Sequence, residues 1–390
     1  MTVLIVLMVA LMSPSVCSAN PGFDDHEIRI AQYGPQTGPA ATWGVIARAS
    51  GLVFDLANEA GGIHGRKIKY FIRDDQYNPA QTKTVVKELV EKHGIFAFVG
   101  GVGAATGMAV KDYIIQNKII WIAPATYVKD FVFPPNPYIY GVYFPFEDES
   151  SILTKYLVEK LKFTKIAFFY QNDPYGLDGL AGCRKRLAKY NLKPVIEIPM
   201  EATEKDLSSQ ILKLKNSGAE AVIGWLVPTP AVIALKTSAT LNYKPQWVFP
   251  STLGNYPLMH KITGGLWEGV ITGLLWESAD STDPKIVYYR EAAKRLTPDA
   301  QWGTFYMAGI TYAEPLVYAL KKVGRNLSTQ ALIKQLNSMK NFQGIGPKIT
   351  WTPTRHQGTD SCMIAKCGPN GTTIKLQDWS QDDLATWRKK

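Results

Sequence analysis

The stretch Gly100-Gly101-Val102-Gly103-Ala104-Ala105-Thr106-Gly107 holds the residue types best suited to binding a ligand. It follows a short apolar run, Ile95–Val99, and opens a helix, which leaves backbone N–H groups unpaired at a positive helix end. Such an end is an anion site, and the Thr106 hydroxyl adds a donor. The glycine spacing is not that of a dinucleotide fingerprint. The stretch around Ile120–Pro124, about 20 residues on, has no acid to hold a ribose. A carboxylate-type anion fits best; the plainer alternative is a tight structural turn.

Nothing else in the chain asks for catalysis. There is no Gly-x-Ser-x-Gly, no Gly-Lys-Ser/Thr phosphate loop and no His-Glu-x-x-His. The adjacent acids Asp74-Asp75 and Asp382-Asp383 read as solvated pairs or helix caps. Zinc is not expected, because no Cys-x-x-Cys occurs and His26, His64, His93, His260 and His356 are scattered. Aromatic residues are the second signal. Trp43, Tyr127, Tyr175 and Trp225 each follow a strand-like run. Singly each is an ordinary core residue; as a set at strand ends they make walls of an apolar ligand pocket.

Those loops need a scaffold, and the pattern supplies one. Strand-like runs at Ile28–Tyr33, Ile68–Arg73, Ile95–Val99 and Ile119–Ile122 alternate with helical periodicity after each of the first three. After an aromatic, proline-rich connector, Phe131–Phe146, the rhythm restarts with strands at Lys165–Tyr170, Pro194–Ile198, Ala221–Trp225 and Trp247–Phe249. Alternation at this spacing builds parallel sheets covered on both faces. The expected fold is α/β, with two doubly wound lobes around a central cleft. A third block, with helices at Pro284–Arg295, Thr304–Val323 and Thr329–Leu336, has little strand character. It completes lobes already begun, so the chain crosses between them more than once. The expected division is 27–145 and 274–342 for the first lobe, and 146–273 with 343–390 for the second. Ligands of such sheets bind beyond the carboxyl ends of the strands.

The 390 residues carry 43 Lys+Arg against 33 Asp+Glu, yet the basic residues are dispersed, so no nucleic-acid partner is expected. Arg184-Lys185-Arg186 reads as a solvated face. The apolar run Val3–Met12 followed by Cys17-Ser18-Ala19 reads as a secretory leader, residues 1–19, cut after Ala19, although no Lys or Arg precedes it. Lipidation at Cys17 and a buried apolar arm are the other readings. Export leaves Cys183, Cys362 and Cys367. Cys183 is expected as a buried thiol, while Cys362 and Cys367 could staple their strand.

Several motifs together carry a resemblance. They are Gly34-Pro35-x-x-Gly38, Asn58-Glu59-Ala60-Gly61-Gly62-Ile63-x-Gly65, Asp74-Asp75 before Pro79, the Gly100–Thr106 loop, Ala123-Pro124-Ala125-Thr126 and Asn172-Asp173-x-Tyr175-Gly176. In order and spacing they resemble the branched-chain amino-acid-binding family, extracytoplasmic substrate-binding subunits of ABC importers. The likeness implies a type I periplasmic binding fold with three hinge crossings, no cofactor and no catalysis. It also implies a small-molecule carboxylate ligand, a membrane permease and ATPase as partners, and a periplasmic location. By the family's pattern Gly103, Ala104, Ala105, Thr106, Ala125 and Thr126 would hold the carboxylate, Tyr175 would make the second-lobe contact and Trp43 would cover the cleft.

One departure matters. Amino-acid binders of the family carry a glutamate just after the strand equivalent to Trp247–Phe249, where this chain has Pro250-Ser251-Thr252. An ammonium desolvated there without a carboxylate would cost several kcal/mol. The departure points to an apolar or aromatic organic acid lacking an α-amino group, with Ser251 and Thr252 on the wall. The alternatives are an amino-acid importer subunit whose counter-charge comes from elsewhere, such as Asp173, or a ligand-sensing receptor on the same fold.

Overall fold

The structure is a computed structural model that describes residues 22–385. The leader read in residues 1–19 and the basic end Arg388-Lys389-Lys390 lie outside the described residues.

The first sheet collects β1 (Glu27–Gly34), β2 (Lys67–Asp74), β3 (Ala97–Val99), β4 (Ile120–Ile122) and β5 (Ile139–Tyr140). Between them run α1 (Val45–Glu59), α2 (Pro79–His93) and α3 (Ala104–Gln116). The helices start and stop where the chemistry directs. Asn78 caps α2 by accepting from Ala80 and Gln81 N–H, Pro79 opens it, and Gly94 ends it with a φ of 58°. All four pairings are parallel, in the order β2-β1-β3-β4-β5. Parallel strands covered on both faces must be apolar throughout, and β3 and β4, Ala-Phe-Val and Ile-Trp-Ile, are fully buried.

The second sheet follows α4 (Phe146–Glu159). It contains β6 (Ile166–Gln171), α5 (Pro174–Ala188), β7 (Glu197–Met200), α6 (Ser208–Asn216), β8 (Ala221–Trp225), α7 (Pro228–Thr240), β9 (Gln246–Phe249), α8 (Tyr256–Thr263) and β10 (Ile271–Leu274). Next come α9 (Pro284–Leu296), α10 (Thr304–Val323) and α11 (Thr329–Leu336), and the chain closes with β11 (Ser361–Cys367) and β12 (Thr373–Gln381). Sheet order is β12-β11-β10-β9-β8-β6-β7, parallel from β7 to β10 and antiparallel for the last two strands. Its parallel part, β7-β6-β8-β9-β10, repeats the winding of the first sheet. In both, the strand order reverses at a switch point, β1/β3 and β6/β8, where ligands of such sheets sit.

Helix α10 packs on α1 of the first lobe, with Gly309 so close that a Cβ there would lie 2.1 Å from Ile46 O. The chain therefore passes from first lobe to second, back, and over again: three crossings. The stretch before the last crossing stays beside β5. Trp351 Nε1 donates to Gly141 O at 2.8 Å, and the His356 ring bonds Ile139 O at 2.9 Å.

Three local expectations change. Cys362 and Cys367 are free and buried, as is Cys183. Five residues apart on an extended strand, they stand roughly 16 Å from each other and on opposite faces, too far to bridge. Asp75 is not solvated: it is fully buried, accepting from Tyr77 N–H at 3.0 Å and Thr82 Oγ1 at 2.8 Å. Arg186 likewise leaves the solvated face and is buried against Asp382 at 2.5 Å and Asp383 at 2.6 Å, tying α5 to the end of the chain.

Candidate functional site

The carboxyl ends of the two sheets face each other, and the loops beyond them line a narrow cavity between the lobes. The lobes touch across it. Trp43 Nε1 donates to Thr252 O at 3.1 Å, and Thr229 N–H reaches Pro39 O at 3.4 Å.

From the first lobe come Trp43, Gly103, Ala104, Ala125, Thr126 and Tyr127. The loops after β3 and β4 are pinned together, with Gly103 N–H on Ala125 O at 3.2 Å and Ala125 N–H on Gly101 O at 2.9 Å. Gly103 is the N-cap of α3 with a φ of 112°, and a Cβ there would meet the Tyr77 ring at 2.6 Å. A glycine is required, and it brings no side chain to fill the donors of the first turn. Their N–H groups are left for whatever enters the cavity. The Thr126 hydroxyl is buried without a partner.

The second lobe supplies Tyr175, Ser251 and Thr252. Tyr175 OH donates to Leu226 O at 3.2 Å and lies 2.9 Å from Thr252 Oγ1, so its ring is fixed as a wall rather than offered as a free hydroxyl. Ser251 Oγ has no partner. Behind it stands Glu149, 1% exposed, whose Oε1 accepts the Ser251 N–H at 2.5 Å. Burial pushes the Glu149 carboxyl up to about 7, against the opposing pull of its Ser251 hydrogen bond.

Three residues expected in the site are not on the wall. Thr106 is fully buried and turns its hydroxyl back to Val102 O at 2.6 Å, satisfying the end of the strand loop instead of a ligand. Ala105, beside it, is half-buried and off the wall. Trp225 ends the inner strand β8 and packs behind Phe146 and Tyr175, with ring centroids 5.9 and 6.1 Å away. It holds two wall residues in place. Asp173, the alternative counter-charge, is spent as the N-cap of α5. It accepts from Tyr175 and Gly176 N–H at 2.9 and 3.2 Å and from Gln171 Nε2 at 2.6 Å.

The sequence reading missed half the wall. Ile46 on α1, Phe305, Ala308 and Tyr312 on α10, Phe146 at the start of α4, and Tyr77 and Trp276 in loops complete it, with Val102. The spacing of Phe305, Ala308 and Tyr312 is a helical stripe, the one local signal available. No charged side chain lines the cavity among the described residues. A second, larger cavity of about 640 Å³ shares Trp276 and lies along the crossing segments.

Two similarly wound lobes, three crossings and a cleft at the strand ends define a type I periplasmic binding protein. The chain belongs to the periplasmic binding protein family, whose model matches residues 27–372. It is similar to the leucine-, isoleucine-, valine-, threonine- and alanine-binding protein of Pseudomonas aeruginosa, 24% identical over 92% of this chain and 91% of that one. Among solved structures it superposes on a branched-chain amino acid ABC transporter protein from Thermus thermophilus with bound valine, with a TM-score of 0.85 at 20% identity over 94% and 99% of the two chains. It also superposes on a fatty acid ABC transporter substrate-binding protein from Thermomonospora curvata, with a TM-score of 0.84 at 21% identity over 94% and 95%. Among the described residues no helix is long and apolar enough to cross a membrane.

Proposed function

We propose that this protein is the extracytoplasmic solute-binding subunit of an ABC importer and captures a small apolar or aromatic carboxylate without an α-ammonium group. It works by lobe closure and catalyses nothing; a permease and ATPase take the ligand from it. The observation that carries this reading is the charge pattern of the wall. It has an open helix N-terminus for an anion, and among the described residues no acid lines it to meet a cation. Fold alone leaves the choice open, since neighbours of this fold are named for valine and for a fatty acid.

The ligand would lie with its carboxylate at the first turn of α3 and Thr126, and its apolar part among Trp43, Tyr127 and Tyr175. Closing the lobes excludes water, which strengthens the dipole's hold on the anion. One observation favours the rival reading, an amino acid: the Glu149 carboxyl lies just behind Ser251. Calorimetry with 3-phenylpropanoate and phenylalanine separates the two. The plain acid is expected to bind at least tenfold tighter; equal or tighter binding of the amino acid would sink the proposal.

A further inference from the structure

We infer that Trp276 sets the upper length of the ligand: its indole is the partition between the narrow cavity and the larger one beyond, and the apolar end of the acid stops against it. The inference rests on the carboxylate reading above and adds a size limit to it. Among the described residues Trp276 is the only one that lines both cavities. It lies just after β10, at a crossing between the lobes, and is 5% exposed. Toward the narrow cavity its ring meets Tyr143 edge-on, with centroids 5.2 Å apart. Tyr143 in turn meets the wall rings of Tyr127 and Tyr312 at 4.9 and 5.6 Å. Toward the larger cavity Trp276 Nε1 donates to Thr311 Oγ1 at 3.0 Å. Gly346, which lines the larger cavity, lies directly behind Thr311: a Cβ on that glycine would sit 2.4 Å from Thr311 Cγ2. One layer of side chains separates the two spaces.

That layer is fixed in place. Thr311 Oγ1 donates to Met307 O at 2.9 Å, so the same oxygen is left to accept, and the indole N–H fills it. Leaving that buried donor unpaired would be costly, which holds the ring across the opening. The two spaces also differ in kind. Among the described residues no charged side chain lines the narrow cavity, whereas the larger one, about 640 Å³, is lined by Glu277, Asp283, Lys348 and an Arg355–Asp360 pair at 3.6 Å. Chain carbons stabilise a complex only where they leave water, and a methylene forced against a pinned indole overpacks the wall. The ligand that fits is a compact acid whose hydrocarbon part ends at Trp276. Shortening that side chain would join the narrow cavity to a space that takes several more carbons.

The test is calorimetry of the purified protein with straight-chain carboxylates from butanoate to dodecanoate, with 3-phenylpropanoate and phenylalanine alongside. Wild type is expected to bind decanoate about tenfold or more weakly than its best shorter acid. Trp276→Leu and Trp276→Ala should raise the affinity for decanoate relative to that acid about tenfold or more. Trp276→Phe, which keeps a ring, should raise it about threefold. Each ratio is taken within one variant, so lost stability alone does not move it, and Trp276→Phe serves if the smaller side chains prevent folding. Wild type holding decanoate as tightly as the shorter acids overturns this inference and leaves the carboxylate reading standing. A ratio unchanged in the folded variants does the same. Phenylalanine binding tighter than 3-phenylpropanoate overturns both, as does binding by none of the acids.

Discussion

Helices α3 and α5 each follow a strand that flanks the switch point of its sheet, β3 in one and β6 in the other, yet their first turns are finished differently. At α5 the cap is Asp173, whose Oδ1 takes the N–H groups of Tyr175 and Gly176. At α3 the cap is Gly103, which offers no side chain. One end carries its own carboxylate; the other is left open for a carboxylate from outside. On the proposed function, the same dipole and the same orphan donors would stabilise the fold in one lobe and receive the ligand in the other. Asp173 meanwhile spends both its oxygens inside the second lobe, on Tyr175, Gly176 and Gln171.

The largest effect should come from abolishing the difference. Gly103→Asp sets a carboxyl at the open turn and a Cβ against the Tyr77 ring, so carboxylate affinity should fall at least hundredfold by calorimetry on variant protein whose melting confirms that it is folded. Near-normal affinity would mean the open turn is not the anion site. Next, Ser251→Glu puts a second carboxyl beside buried Glu149 and should weaken the plain acid about thirtyfold, in line with like-charge repulsion in a desolvated cleft.

Glu149 sharpens the comparison through pH. Its folded-state value, about 7, is above its ordinary 4.5, so the folded protein holds the proton more tightly than the unfolded chain. The associated stability is complete below about pH 4.5 and is lost as pH rises through about 7. Wild type should therefore be more stable at pH 5 than at pH 8 in denaturant titrations. Glu149→Gln should narrow that gap by on the order of 2 kcal/mol. A residual gap is expected from Asp75, raised by burial to about 6, and from Asp178 and Glu314, raised by burial to about 7. The smallest effect belongs to Asp173→Ala, which uncaps α5. It should cost about 1 kcal/mol of stability and change ligand affinity less than threefold. A hundredfold loss of affinity there would restore Asp173 as a ligand contact.

The sequence was most readable where local chemistry and tertiary role agree. Helix α10, Thr304–Val323, is bracketed by Gly303 and Gly324 and lies where the periodicity puts it. The residues after strands, Trp43, Gly103, Thr126, Tyr175 and Ser251, were legible as cleft residues because strand ends point there in any doubly wound sheet. Helix α4 was not assigned. Its first half carries Asp148, Glu149, Ser150 and Ser151, polar and yet buried, so the apolar stripe Ile152, Leu153, Tyr156 and Leu157 marks only its second half. Phe146 and Trp276 reach the cavity through packing between lobes, which spacing along the chain does not encode. Thr106 marks a different limit: sequence identifies a hydroxyl at a helix start but not whether it turns outward or back to Val102 O.

The Trp43–Thr252 hydrogen bond spans the two lobes, and it makes the protein an optical reporter of its own state. Of the ten tryptophans, Trp121, Trp225, Trp267 and Trp351 are fully buried within the packed structure and give a steady emission background. If the lobes part as the proposed function requires, the Trp43 indole would enter water and its emission would shift to longer wavelength; clamping a ligand would shift it back. The sign and amplitude of that colour change give unlabelled, millisecond access to closure. An aromatic ligand lying against the indole would quench the emission as well as shift it, so a single titration reports both that something is held and whether it carries a ring.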